Sequence, residues 1–223
     1  MYVGRIMHTN LITVNPETTI KQAMDLLKEH HIEHLVVLDD SGRLKGILSD
    51  RDVKYNLASP ATTFSTHELN YLLDQVTVGM IMVKNVITVT PDTTVEDAAL
   101  VIRDNEISSL PVMKDGRPVG IVTKTDVMGV LMDAIGLGEE NQRLIVLVRN
   151  RIGMIADITT RLREENINIA SLITWPEKGS EGVYQLVLRV KGEDKDKAVA
   201  ALESMQLKVI TEYVENHSQL ISD

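Results

Sequence analysis

The sequence predicts an α+β protein: two like-built β-α-β-β-α repeats packed on each other, then a smaller βαββαβ domain. Three observations predict it. The first 130 or so residues state one pattern twice, as M-H-T-N-L-I-T-V-N-P-E-T-T-I from Met7 and M-V-K-N-V-I-T-V-T-P-D-T-T-V from Met82. The match then continues through Gly42/Gly116, Gly46/Gly120, Ile47/Ile121, Asp52/Asp126 and Val53/Val127. Repeats of this kind bury each other's apolar faces, so a pair related by a pseudo-twofold makes two equivalent clefts. Within each copy, apolar positions switch between strand alternation and the helical i, i+3, i+4 stripe. The last 80 or so residues follow a different pattern.

In the first repeat, Leu11 to Val14 is a β-rich run ended by Asn15-Pro16. Thr18 or Thr19 caps a helix whose buried stripe is Ile20, Ala23, Met24 and Leu27. Leu35 to Leu38 is a strand, Asp39-Asp40-Ser41-Gly42 a tight turn, and Leu44 to Leu48 the return strand. A last helix begins at Asp50. The second repeat copies this order with strands at Val86–Val89, Leu110–Met113 and Val119–Thr123, and a stripe of Val95, Ala98, Ala99 and Ile102. Its last helix, from about Thr125 to Ile135, stops at Gly136, a C′ glycine. Between the copies, Ser65-Thr66-His67-Glu68 has capping-box spacing ahead of Leu69, Leu72 and Leu73, which predicts a short linking helix.

The remaining chain predicts strands at Leu144–Val148, Ile167–Trp175, Val183–Val190 and Lys208–Val214. Its helical stripes are Ile155, Ile158, Thr159, Leu162 and Ala198, Ala201, Leu202, Met205. That order gives helices on one face of an antiparallel sheet, whose free edge suits pairing in a homodimer. The boundaries expected are 4–58 and 78–135 for the repeats, 59–77 and 136–142 for linkers, 143–215 for the last domain and 216–223 for a tail.

Composition narrows the function. Apolar residues make up 43% of 223, with one Trp, one Phe and five Tyr, so the cores are aliphatic. No apolar run is long enough to span a bilayer, and the start, Met1 to Arg5, lacks the apolar stretch of a signal peptide. The absence of cysteine removes disulfides, thiol nucleophiles and thiolate metal sites, and fits a cytoplasmic protein. A net charge of −9 argues against a general nucleic-acid partner. None of the common catalytic fingerprints is present, so the chain is expected not to be an enzyme.

Ser49 and Asp52, like Thr123 and Asp126, sit where a strand gives way to a helix. A helix N-terminus offers free N–H groups to an anion. A hydroxyl there can donate to phosphate, and a carboxylate three residues on can accept from a ribose diol. Arg51 and Lys124 can add charge to a phosphate, or simply form a solvated helix face. Plain helix capping explains one copy of Ser/Thr-x-x-Asp equally well, at about 1 kcal/mol; the second copy favours a ligand. His30, His31 and His34 form H-H-x-x-H, but the second repeat lacks it, and surface or cleft-edge roles outweigh a metal.

The doubled T-V-x-P start, the middle Leu110-Pro111-Val112 segment and the paired endings Gly46–Asp52 and Gly120–Asp126 resemble a tandem pair of CBS domains, a Bateman module. The segment Asn150–Ile158 followed by Asn166–Ile169 resembles an ACT domain, which is ferredoxin-like. The whole resembles the bacterial acetoin-utilisation CBS–ACT proteins. The resemblance implies a regulatory protein binding AMP, ADP or ATP, with the acid on the ribose and Ser49 or Thr123 near the phosphate. It implies that Ile81, Met82 and Ser108 complete the Asp52 cleft, and Ile6, Met7 and Glu33 the Asp126 cleft. Glu33 puts negative charge beside a proposed cleft, and the Asp52 cleft is expected to be the tighter. For the ACT domain the resemblance implies an amino acid at a dimer interface, touching Asn150, Gly153, Met154, Ile155 and Asn168. Asn150 and Ile152 stand where the family has an acid and a proline, so a purely dimerising sheet is the alternative there. The alternative for the whole chain is a constitutive dimerisation adaptor with degenerate sites. A regulatory role also implies a second protein that this one regulates.

Overall fold

The computed structural model describes residues 1–56, 75–138 and 140–214. The expected linking helix with its Ser65–Glu68 capping box, and the tail from 216, lie outside them. The chain forms two compact units, Met1–Gly129 and Val130–Asp223.

In the first repeat, β1 (Thr13–Val14), β2 (His34–Leu38) and β3 (Leu44–Ser49) form one sheet in that order. β1 runs parallel to β2, and β2 antiparallel to β3. Helix α1 (Ile20–Glu29) starts with a capping box: the Gln22 N–H donates to Thr19 Oγ1, and the Gln22 side chain accepts from the Thr19 N–H. Its stripe Ile20, Ala23 and Leu27 is buried, with Met24 at the edge of the same core. Helix α2 (Asp50–Asn56) follows β3 directly.

The second repeat has α3 (Val78–Ile81), α4 (Val95–Asp104), β4 (Ser109–Lys114), β5 (Arg117–Thr123) and α5 (Lys124–Ala134). Its expected first strand, Val86–Val89, shrinks to a single parallel bridge, Val89 with Val112. The cause is Pro111. In the first repeat Thr13 pairs with Val36, and the equivalent partner of Thr88 is Pro111, which has no N–H to donate.

The repeats exchange their leading segments. The N–H groups of Val3 and Gly4 donate to the carbonyls of Thr93 and Pro91, and those of Val78 and Gly79 to Thr18 and Pro16. Further on, His8 and Ile121 exchange two backbone hydrogen bonds, as do Val83 and Ile47. Each crossing brings a methionine onto a strand glycine. A Cβ on Gly46 would lie 2.5 Å from Met82 Sδ, and one on Gly120 would lie 2.6 Å from Met7 Sδ. The segment ahead of each repeat thus roofs the other repeat's hairpin.

In the second unit, β6 (Asn141–Arg149), β7 (Ile169–Pro176), β8 (Val183–Lys191) and β9 (Val209–Ile210) form an antiparallel sheet ordered β7-β8-β6-β9. Helices α6 (Met154–Glu164) and α7 (Lys195–Glu203) cover one face. Leu144, Val146 and Val148 of β6 meet Ile158, Leu162, Ala198 and Leu202 there. Two expectations change. The stripe on α6 is Met154, Ile158 and Leu162, one residue ahead of the expected start, and Ile155 is 43% exposed. The last strand is only two residues long, pairing with Ile145 and Val146. Among the described residues no helix is long and apolar enough to cross a membrane.

Candidate functional site

Each repeat ends its hairpin with a hydroxyl–acid pair closed on itself. The Ser49 hydroxyl donates to Asp52 Oδ2 (2.6 Å), the Ser49 N–H to the same oxygen (2.8 Å), and the Asp52 N–H returns to Ser49 Oγ (3.1 Å). Thr123 and Asp126 repeat this at 2.7, 2.8 and 3.2 Å. The capping reading is therefore realised in both copies. It also corrects one expectation: the hydroxyls meant for phosphate are turned to the acids. The helix-start amides are engaged too, since the Asp50 N–H donates to Glu33 O and the Lys124 N–H to Ser108 O. In the first cleft the carboxylate keeps its second oxygen, Oδ1, as the group free to meet a ligand. Asp52 Oδ1 has no hydrogen-bond partner among the described residues.

The pairs open on two cavities between the repeats. The first, about 460 Å³, is lined by Ser49, Arg51 and Asp52 from one repeat and by Asn85–Ile87, Ser108 and Ser109 from the other. The second, about 860 Å³, is lined by Thr123, Lys124 and Asp126 together with Met7 to Ile12 and His30 to His34. Glu33, His34 and Ser108 border both. His34 Nε2 and Ser108 Oγ are 2.8 Å apart, so this contact forms a wall common to the two clefts.

Several site residues take other places than expected. Ile81 and Met82 pack against the first repeat's core, because the exchanged segment lays Met82 on Gly46; Val83 and Asn85–Ile87 line the cavity instead. Ile6 closes the short turn after Val3 and lies outside both linings, whereas Met7 borders the second. Glu33 and Ser108, each expected in one cleft, border both.

Sequence reasoning missed His8. Its Nε2 is 3.0 Å from Asp126 Oδ1, so the second cleft's acid has both oxygens engaged. Burial pushes Asp126 up, but hydrogen bonds from Thr123 and His8 outweigh it and hold the carboxyl below its usual range. The equivalent of His8 is Val83, so the first cleft has no such latch. Burial also lowers His34, and Arg51 adds to it, against the opposing pull of Glu33 and Asp52. Among the described residues no group of three or more His, Asp or Glu could hold a metal ion.

In the second unit, Gly153 has φ 86° and caps α6, a conformation that favours glycine. Asn150, Ile155 and Asn168 are exposed. Met154, expected to touch an effector, is 8% exposed and belongs to the core, because it opens the buried stripe of α6. Arg151 Nη2 bonds Asp157 Oδ2 at 2.6 Å across the same turn.

A CBS-domain model matches residues 3–59 and 78–133, and an ACT-domain model matches 142–204. A CBS domain-containing protein of Dictyostelium discoideum is 33% identical over 60% of this chain and 92% of its own length. The chain also matches an inosine-5′-monophosphate dehydrogenase of Aquifex aeolicus at 28%, but spans only 23% of that enzyme. Among solved structures, the CBS domain pair of MJ0100 in complex with 5′-methylthioadenosine and S-adenosyl-L-methionine is 30% identical, with a TM-score of 0.51. It covers 60% of this chain and 97% of that one. A Vibrio cholerae protein assigned to acetoin utilization shares the fold at 24% identity and a TM-score of 0.50, over 63% of this chain and 96% of that one.

Proposed function

Because the chain belongs to the CBS-domain family and ends in an ACT domain, we propose that it is a non-catalytic regulatory protein that binds an adenine nucleotide in the clefts of its CBS pair. CBS and ACT domains are regulatory modules, and a CBS pair 30% identical to this one is solved with two adenosine compounds. The observation that carries the reading is the doubled cleft. Each has a strand-end hydroxyl–acid pair from one repeat and a crossing segment from the other, with a cationic side chain, Arg51 or Lys124, between the hydroxyl and the acid in sequence. In this reading Asp52 Oδ1 accepts from a ribose hydroxyl, and Arg51 meets a phosphate. AMP, ADP and ATP are the ligands of this reading. The ACT domain supplies dimerisation or senses a small effector, and a role in acetoin or carbon metabolism belongs to the same proposal.

Thermal shift of the full chain with AMP, ADP, ATP and S-adenosylmethionine tests it. A ligand at 100 times its Kd stabilises by about 2.7 kcal/mol. The shift should fall in Asp52→Ala and Asp126→Ala and vanish in the double variant. No shift with any of the four would favour the constitutive adaptor instead.

A further inference from the structure

We propose that His8 sets the sugar specificity of the Asp126 cleft: it holds one of the acceptor positions left on that carboxylate, so the cleft reads a single ribose hydroxyl, while the Asp52 cleft reads both hydroxyls of the diol. The proposal rests on the nucleotide reading above and deepens it. The two clefts then treat ribose and 2′-deoxyribose differently.

A carboxylate offers about four lone-pair positions, two on each oxygen. In both clefts Oδ2 is filled. Ser49 gives its N–H and its hydroxyl to Asp52 Oδ2, and Thr123 gives the same two groups to Asp126 Oδ2. What remains is on Oδ1. Asp52 Oδ1 has no partner among the described residues, so both of its positions stay open. Asp126 Oδ1 meets His8 Nε2 at 3.0 Å, so one of its two is taken. A carboxylate only accepts, so the imidazole carries the hydrogen of that contact. A ribose diol brings two donors. Asp52 can receive both, and Asp126 one. A second hydroxyl would have to displace His8, exchanging one donor for another with little net gain.

The backbone fixes His8 in this place. Its N–H donates to the Ile121 carbonyl at 2.9 Å, and the Ile121 N–H donates to the His8 carbonyl at 3.0 Å. Ile121 lies two residues before Thr123 on β5, so the bridge holds His8 beside the hairpin end that leads to Asp126. Both His8 and Asp126 line the second cavity. In the first cleft the equivalent bridge joins Val83 to Ile47, and a valine side chain has no hydrogen to donate. The pseudo-twofold thus places a donor over one acid and none over the other.

Calorimetric titration of the full chain at one pH, with AMP and 2′-deoxy-AMP as probes, tests it. Asp126→Ala reports the Asp52 cleft, and Asp52→Ala the Asp126 cleft. In Asp126→Ala, AMP should bind at least about tenfold more tightly than 2′-deoxy-AMP, the effect of one hydrogen bond to a charged group. In Asp52→Ala the two affinities should lie within about threefold of each other. Adding His8→Val to Asp52→Ala, which copies the residue of the first cleft, should bring the tenfold preference back. His8→Ala removes the same donor and carries the test if the valine variant does not fold. A purely structural role for His8 would move both affinities together and leave their ratio unchanged. The proposal is overturned by equal ratios in the two clefts, or by a ratio that ignores the loss of His8. It is also overturned by an Asp126 cleft that binds neither probe with or without His8. Each of these leaves nucleotide binding by the unmodified chain intact. No binding of AMP by the unmodified chain removes the nucleotide reading itself, and this proposal with it.

Discussion

Gly46 and Gly120 show how tightly single positions are set where the repeats meet. A Cβ on Gly46 would lie 2.5 Å from Met82 Sδ, which can swing away, and 2.9 Å from the Val83 carbonyl oxygen, which cannot. That carbonyl is fixed by its hydrogen bond from Ile47. Gly46→Ala should therefore cost about 1–3 kcal/mol by overpacking. Urea denaturation checks it, and an unchanged midpoint would show that the exchanged segment yields freely. His34 makes a second prediction. Its folded pKa lies below the ordinary 6.5, so the unfolded chain takes up a proton first as pH falls. Stability from this residue is complete above 6.5 and declines as pH drops from there toward the lowered folded value. His34→Ser, which copies the Ser109 position, should lose less stability than the parent between pH 7.5 and 5.5 in thermal melts. Equal losses would discard this account. At this scale the doubled Ser49/Asp52 and Thr123/Asp126 pairs were legible because repetition marks them. His8 was not: its partner stands 118 residues away, and the second repeat has valine in its place.

At the scale of elements, caps and periods read well and ladders less so. Thr19 and Gln22 form a reciprocal capping box, so Thr19→Ala should destabilise by about 1 kcal/mol in chemical denaturation. Loss of no more than a few tenths would mean that packing of Ile20 alone holds the start of α1. Helices α1, α4 and α7 carry the stripes expected of them, because those stripes recur over two turns or more. The Val86–Val89 strand did not form a ladder, because whether a β-rich run pairs depends on its neighbour's donors. Here the neighbour is Pro111, more than 20 residues on. The slip from Ile155 to Met154 on α6 has a similar origin. Both residues are apolar, and only the helix's rotation against β6 decides which is buried.

The whole molecule divides its core as well as its chain. Among the described residues, the buried cluster around Leu144, Leu162 and Leu188 draws on residues 144–202, and that around Ile20, Leu35 and Leu48 on residues 14–78. Two cooperative transitions are therefore expected in calorimetry. A nucleotide bound in the CBS clefts should raise only the transition of the unit spanning Met1–Gly129. A single transition that moves as one with ligand would contradict independent cores. The sequence by itself determined the number of repeats, the order of elements, the ACT-like last domain and the paired acids, because periodicity and repetition are local properties of a chain. Tertiary structure alone decided that each repeat is roofed by the other's leading segment. It alone packed Met82 against the first repeat's core, set His8 on Asp126 and made His34 and Ser108 a common wall. Those outcomes depend on which distant groups the pseudo-twofold brings within hydrogen-bonding reach, and no local pattern encodes that.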